Sequence, residues 1–373
     1  MPSALVLGGG QQGSFIALKL GEWGIDTTVW ETSLQRLEEL QQYPFIKAER
    51  KNFLTDERIN DEIKKYDVVV EALPGKLGFT ALKKLASLGK KVVSVSFMEE
   101  DYLQLHELAR ENDSTIIPDC GFTPGISNLL VGNGLSRAGV AEKITILVGG
   151  LPLNPTPPFY HNLTWSVEDL IEEYRRPARV KKNGIIREVR PFSDIRREIG
   201  FPVQDLVSFP TDGLRSLLKT TNVPEMEERT LRYSKHVEKV KVLDELGFFG
   251  ENSIDLMGIS YPTKFLTAKI IEQNFLTSSE EDIILSKIEI KSPKIIYTYE
   301  ITGEYDYERG ISAMRRATGT PAAVFAKFFL EKDIVQTGVV PLEYLGDRED
   351  ILYKTIQELK KEGIIVKEKK KTL

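Results

Sequence analysis

The sequence predicts an α/β protein, with a doubly wound parallel sheet at the N-terminus and a second domain built on a mixed sheet. Three observations predict it. The chain has 373 residues, more than one ordinary core holds, so two domains are expected. Up to about residue 122, short apolar runs alternate with helical periodicity, the pattern of parallel strands joined by right-handed crossovers. A glycine cluster, Gly8-Gly9-Gly10-Gln11-Gln12-Gly13, stands where the first strand gives way to the first helix.

In chain order, Ala4–Leu7 reads as a buried strand and Ser14–Trp23 as a helix. Asp26–Glu31 is β-branched and reads as the next strand, and Ser33–Gln42 as a helix with Leu34, Leu37 and Leu40 on one side. Asp67–Leu73 is a buried strand closed by Pro74–Gly75, followed by a helix at Thr80–Leu88 and a strand at Lys91–Val95. Asp101–Glu111 reads as a helix and Thr115–Pro118 as a strand. Then the pattern changes. Lys143–Gly149 is a longer strand before a proline-rich stretch, and Ile283–Ile290 and Lys294–Ile301 alternate around a Ser-Pro turn. Ile311–Phe329 is an alanine-rich helix. The basic runs Arg175–Lys182 and Lys367–Lys371 read as a solvated loop and tail.

Hydrophobic residues make up 41% of the chain and charged residues 28%, which places it with globular rather than disordered proteins. A net charge of −5 argues against nucleic acid as a partner. No apolar run approaches the ~20 residues a membrane helix needs. One cysteine, Cys120, excludes an intrachain disulfide and reads as a small buried residue. With no signal peptide before the first strand, a cytoplasmic protein is expected. The three histidines and the cysteine are too scattered for a zinc site, so no metal is expected.

The glycine cluster fits G-x-G-x-x-G between a strand and a helix, the fingerprint of a Rossmann dinucleotide site. Gly8 permits the tight turn, Gly10 lets a pyrophosphate approach the backbone, and Gly13 lets helix and strand pack closely. Gln11 and Gln12 complete the turn, whose helix N-terminus offers unpaired N–H groups to phosphates. Glu31 ends the second strand, where a carboxylate accepts from the adenosine ribose and repels a 2′-phosphate. That favours NAD; Arg36 nearby keeps NADP open as an alternative, and FAD competes for a similar turn. In open parallel sheets ligands lie beyond the carboxyl ends of the strands. The loops Ala72–Gly75, Ser94–Phe97 and Asp119–Phe122 are therefore expected to face the nicotinamide end, through Leu73, Pro74, Ser96 and Gly121.

Later segments extend the reading: IPDCGFTPGISNLL (Ile117–Leu130), VGGLP (Val148–Pro152), WSVEDLIEEYRRPA (Trp165–Ala178), TDGLRSLL (Thr211–Leu218), TLRYSKH (Thr230–His236), TGTPAA (Thr318–Ala323) and TGVVPLE (Thr337–Glu343). In order and spacing they resemble the saccharopine dehydrogenase family, and within it the lysine 6-dehydrogenase-like branch. The resemblance covers the chain to about Leu345. It implies a Rossmann domain over 1–122 and 310–345, an inserted α/β substrate-binding and dimerisation domain over 123–309, and a C-terminal helix and basic tail over 346–373. It further implies a homodimer, and oxidation or reduction of a carbon–nitrogen bond of an amino acid with NAD or NADP. Lysine, taken at its side-chain amine to a semialdehyde that cyclises, is the leading substrate; saccharopine or another amine is the alternative. The chain departs from the family at Ser234-Lys235, where relatives have Pro-Gly, and at Ser94, where many have aspartate. These departures support a rival reading, a dinucleotide-binding sensor without turnover.

Oxidising an amine carbon requires a neutral nitrogen, hence a proton acceptor. His161 and His236 titrate near neutrality when solvated and are the candidate proton carriers, with Asp119 and Tyr233 as further catalytic candidates. Arg215 and Arg232 are candidate carboxylate partners, and Trp165 a candidate wall of the substrate site. For His236 the competing reading is a hydrogen-bonded histidine opening the helix Val237–Leu246.

Overall fold

The computed structural model describes residues 1–56, 58–162, 167–275 and 280–373. The chain forms two compact units, Met1–Ser136 with Arg315–Glu362, and Arg137–Met314 with Gly363–Leu373. No described helix is long and apolar enough to cross a membrane.

In the first unit the strands are β1 (Ser3–Leu7), β2 (Asp26–Glu31), β3 (Ile46–Arg50), β4 (Val68–Glu71), β5 (Lys91–Ser94), β6 (Thr115–Ile117) and, from the returning chain, β17 (Gly338–Val339). All pair in parallel, in the order β17-β6-β5-β4-β1-β2-β3. The chain leaves β1 toward β2 on one side and returns to β4 on the other, so the strand order reverses between β1 and β4. Such a switch point opens a crevice at the carboxyl ends of the strands. The crossovers are α1 (Gln11–Glu22), α2 (Leu34–Leu40), the short α3 (Ile59–Glu62), α4 (Gly75–Ser87) and α5 (His106–Glu111); α6 (Ile126–Ala138) follows β6. Leu5, Leu7, Val69, Val92 and Ile116 from the strands bury against Ala81, Leu82 and Leu85 of α4, which is what holds sheet and helices together.

Three helix starts differ most from the sequence reading. Helix α1 starts at Gln11, capped by Gly10, rather than at Ser14. Helix α4 starts at Gly75 behind Pro74, a residue whose fixed φ suits a helix entry, rather than at Thr80. The Asp101–Glu111 helix opens with a 3₁₀ turn over Tyr102–Leu105. The sheet also gains β3 and β17 at its two edges.

The second unit holds β7 (Lys143–Pro152), α7 (Val167–Arg175), β8 (Ala178–Lys182), β9 (Ile185–Val189), β10 (Arg196–Glu198), β11 (Leu206–Pro210), α8 (Leu217–Thr220), β12 (Glu225–Tyr233), α9 (Ser234–Glu245), the hairpin β13 (Ser253–Leu256) and β14 (Ile259–Pro262), α10 (Thr263–Phe275), β15 (Asp282–Lys291), β16 (Ile295–Glu304) and β18 (Ile365–Thr372). Its main sheet runs β10-β11-β12-β7-β15-β16-β18, with β8 and β9 branching from β12. Only the β12–β7 pair is parallel, so the sheet is mixed as expected. Helix α11 (Ala313–Glu331) leads back to the first unit, where α12 (Glu349–Lys361) precedes β18.

Both basic runs correct the sequence reading. Lys367–Lys371 is not a tail: it lies in β18, paired antiparallel with β16 from Ile365 to Thr372. Arg175–Lys182 is not a loop: it ends α7 and forms β8. The physical reason is the same in both. The backbone satisfies its hydrogen bonds in the ladder while acids take the charges, Glu300 at 2.7 Å from Lys369 and Asp212 at 2.8 Å from Arg179.

The entry to α11 carries a stability prediction. Asp282 is fully buried, and its two carboxylate oxygens accept from the Ala313 and Met314 amides at 2.6 and 2.8 Å. Asp282→Ala removes both acceptors at a helix start and should cost ~1–2 kcal/mol. The denaturant midpoint reads this directly; an unchanged midpoint would mean water replaces the carboxylate.

Candidate functional site

The glycine turn joins β1 to α1 with no room for a side chain at Gly8 or Gly13. Gly8 has φ +95, and a Cβ there would lie 2.6 Å from the Ala72 carbonyl oxygen; a Cβ at Gly13 would lie 1.9 Å from the Gly8 oxygen. The turn is therefore bare backbone pressed between the start of α1 and the end of β4. Gly10 caps the helix, and the amides of the first turn point out of it unpaired by the helix itself. The buried Gln12 Oε1 accepts no hydrogen bond among the described residues. A cradle closed to Cβ atoms at Gly8 and Gly13 and a helix N-terminus with free amides fit a diphosphate-bearing ligand.

Glu31 stands at the rim of this cradle. Its Oε2 accepts from the Gly9 amide at 2.7 Å, and its Oε1 from the Thr32 and Ser33 amides at 2.6 and 2.8 Å. Burial pushes its pKa up, but the amides of Ser33, Gly9 and Thr32, with Arg36 behind them, outweigh it and hold the carboxyl below its usual range. An anionic carboxylate thus sits in the turn, with an Arg36 nitrogen 3.8 Å away.

In the loop after β4, Leu73 lies against Gly8 and Pro74 caps α4. Ser96 faces inward: its hydroxyl lies 2.7 Å from Glu71 Oε1 and 2.5 Å from the Leu73 carbonyl. Ser94 donates to Glu71 Oε2 at 2.6 Å. Asp119 sits at φ +48 and accepts from the Tyr102 hydroxyl at 2.8 Å. Gly121 bridges to Gly125. Burial, and secondarily Asp119, push the Cys120 thiol well up, so it is no thiolate nucleophile.

The second unit gathers a buried ionisable cluster. The His161 and His236 rings are 4.7 Å apart. His236 Nδ1 lies 2.7 Å from the Phe159 carbonyl, which can only accept, so Nδ1 carries the proton; Nε2 must then accept from the Tyr174 hydroxyl at 2.7 Å. Burial brings His236 down to about 3, and burial with Arg232 and His236 brings His161 well below its ordinary value. Both histidines are neutral at pH 7. His236 opens α9, the first turn of which is Ser234-Lys235-His236. Arg232 donates to both Glu173 oxygens at 2.8 and 2.9 Å. Tyr233, next along β12, points to the opposite face, donates to the Pro152 carbonyl at 3.0 Å, and packs with Leu206 and Leu231. Arg215 is buried, 6% exposed, with its backbone at φ +51. Trp165 lies outside the described residues.

The sequence reading missed Glu228. It shares a face of β12 with Thr230 and Arg232, because residues two and four apart on a strand point the same way. Its Oε2 accepts from the Thr211 hydroxyl at 2.6 Å and from the Gly213 amide at 3.1 Å. Burial first, then the Glu173 and Asp212 carboxylates, push it up to about 7 against the Thr211 and Gly213 hydrogen bonds. Of the cluster, this is the group tuned to neutrality. The alternation Glu228-Thr230-Arg232 was the available signal. No group of three or more His, Cys, Asp or Glu among the described residues could hold a metal ion.

Residues 4–117 match the family model described as the saccharopine dehydrogenase NADP binding domain, and residues 121–364 match that of the saccharopine dehydrogenase C-terminal domain. The chain belongs to the saccharopine dehydrogenase family. The NADP-binding match covers β1 to β6 of the first unit, whereas Arg315–Glu362 of that unit falls within the C-terminal match. The L-glutamate-forming, NADP(+) saccharopine dehydrogenase of Pyricularia oryzae is 23% identical over 241 residues, 61% of this chain and 53% of that protein. The corresponding Schizosaccharomyces pombe enzyme is 24% identical over 247 residues, 61% of this chain and 54% of its own. The matches thus span about half the length of these curated relatives. The apo L-Glu-forming saccharopine dehydrogenase of Saccharomyces cerevisiae shares the fold, with a TM-score of 0.80 at 18% identity over all of both chains.

Proposed function

We propose that this member of the saccharopine dehydrogenase family is an NAD-dependent oxidoreductase of lysine metabolism that acts on a carbon–nitrogen bond of an amino acid. The observation that carries the reading is the glycine cradle, where Gly8 and Gly13 admit no Cβ, on a domain matched to the family's dinucleotide-binding model. Gly8, Gly10, Gln11, Gln12 and Gly13 would hold the diphosphate, Glu31 the adenosine ribose, and the Leu73–Pro74 loop the nicotinamide end. The bound dinucleotide would accept or return a hydride. The chain's own part is to orient the amine and move its proton. Glu228 is the proposed proton acceptor, and Arg215, a buried cation on strained backbone, the proposed carboxylate partner. His236, with both ring nitrogens engaged, is proposed to be structural.

The side-chain amine of lysine is the proposed substrate. Saccharopine brings three carboxylates, whereas the buried Arg229 and Arg232 are already paired, with Asp194 at 3.0 Å and Glu173 at 2.8 Å. The names of the relatives support saccharopine as the second reading. Absorbance of the reduced cofactor, followed with lysine, saccharopine and related diamino acids, tests both. Turnover of saccharopine alone would replace the substrate; binding of NAD without turnover of any amine would favour the sensor.

Glu31 carries the cofactor preference. An ionised carboxylate among the Gly9, Thr32 and Ser33 amides occupies donors that a 2′-phosphate would use. Glu31→Ser frees them beside Arg36, and charge-assisted hydrogen bonds of ~1.5–3 kcal/mol should move the NADP to NAD affinity ratio by about 10- to 100-fold toward NADP. Calorimetric titration with each nucleotide reads the ratio; an unchanged ratio would release Glu31 from this role.

A further inference from the structure

Glu71, at the carboxyl end of β4, is fully buried beside the cradle, and its hydrogen bonds fix its charge. Three groups surround the carboxyl. Ser94 donates to Oε2 at 2.6 Å, the Leu73 amide donates to Oε1 at 2.9 Å, and the Ser96 hydroxyl lies 2.7 Å from Oε1. The Ser96 oxygen is also 2.5 Å from the Leu73 carbonyl. A hydroxyl has one proton, and a carbonyl has none to give. The Ser96 proton therefore goes to Leu73, and the proton between Ser96 and Glu71 must come from Glu71.

We propose that Glu71 is a neutral carboxylic acid at physiological pH and, as a positioning residue, ties the loop after β5 to the loop after β4 that abuts the glycine cradle. The proposal rests on the dinucleotide reading above for its function, but not for the protonation state. The neutral form suits the place. The next residue, Ala72, lies against Gly8 and Gly13, so an ionised Glu71 would stand behind the diphosphate and repel it. Among the described residues, nothing charged faces the acid. On β1 its partner is Leu7, on β5 Ser94, and on α4 the neighbour is Gly78, packed against Ser96. Of the α4 lysines, Lys76 and Lys83 are exposed, and Lys84 donates to the Phe53 carbonyl. Beyond β5, Asp119 is held by Tyr102, and the Cys120 amide bonds the Ser94 carbonyl. Burial, opposed by the Ser94 and Leu73 hydrogen bonds, raises the Glu71 pKa.

The sign follows. A carboxyl raised above 4.5 on folding contributes stability that is complete below that value and is lost as pH rises through the folded value. In wild type, the thermal midpoint and NAD affinity should both fall as pH rises through the folded value, whereas Glu71→Gln, permanently neutral, should lose that dependence, although its amide can serve only one of Ser96 and the Leu73 amide. Identical pH curves for the two proteins would overturn the proposal. The thermal curves decide it even if no dinucleotide binds, an outcome that would strike the dinucleotide reading instead. If Glu71→Gln does not fold, infrared spectroscopy of wild type in D₂O replaces it. A protonated-carboxyl band at neutral pH, displaced by Ser96→Ala, is expected, and its absence overturns the assignment.

Discussion

Gly13→Ala should abolish measurable NAD binding while leaving the second unit folded. The added methyl group would begin 1.9 Å from the Gly8 carbonyl oxygen, which is backbone and has no rotamer to escape into. Either α1 lifts from β1 or the turn opens. Lifting α1 strains the packing of Phe15, Ile16 and Leu20, all buried. Overpacking of this kind costs ~1–3 kcal/mol, and here the same displacement moves every amide aimed at the phosphates. A loss of at least ~100-fold in affinity follows if two of those charge-assisted bonds fail. Calorimetric titration of NAD measures it, with circular dichroism to confirm retained structure. Wild-type affinity in Gly13→Ala would mean the nucleotide does not use this turn.

Glu228→Gln should cost ~10²–10⁴-fold in kcat/KM for the amine, the usual contribution of a positioned general base. It should also erase the acidic limb of the pH profile. The limb belongs near the value to which burial and the Glu173 and Asp212 carboxylates raise Glu228, about 7: below it the carboxyl is protonated and cannot take the ammonium proton. Thr211→Val removes a hydrogen bond that favours the ionised form, so the limb should move to higher pH. Stability runs the other way. The contribution of protonated Glu228 is complete below 4.5 and lost as pH rises through about 7, so Glu228→Gln should gain on wild type above neutrality. A variant that keeps both rate and limb would remove Glu228 from the chemistry.

How much of this was legible in the sequence depended on where the information lay. The parallel strands of the first unit are buried on both faces, so Ala4–Leu7, Asp67–Leu73 and Lys91–Val95 stand out as apolar runs. The glycine turn is local chemistry, and its spacing survives as geometry. β3 was hidden because an edge strand such as Ile46–Arg50 carries charge, and β17 because two residues have no period. In the second unit, β8, β10, β12 and β18 are rich in charged residues, and their ion pairs come from distant segments that no local pattern shows. The site followed the same division. Sequence points to the histidines because they titrate near neutrality in water. Burial drives both well below that and lifts a glutamate into their place, and burial is a tertiary fact. Arg232 was read as a clamp from its type; Glu173, on a separate helix, already holds it.

The most direct test is amide hydrogen exchange with and without NAD. The account predicts slowed exchange in residues 8–13 and 31–33, with smaller changes in 72–75. Protection confined to other segments, or none at saturating nucleotide, would contradict it.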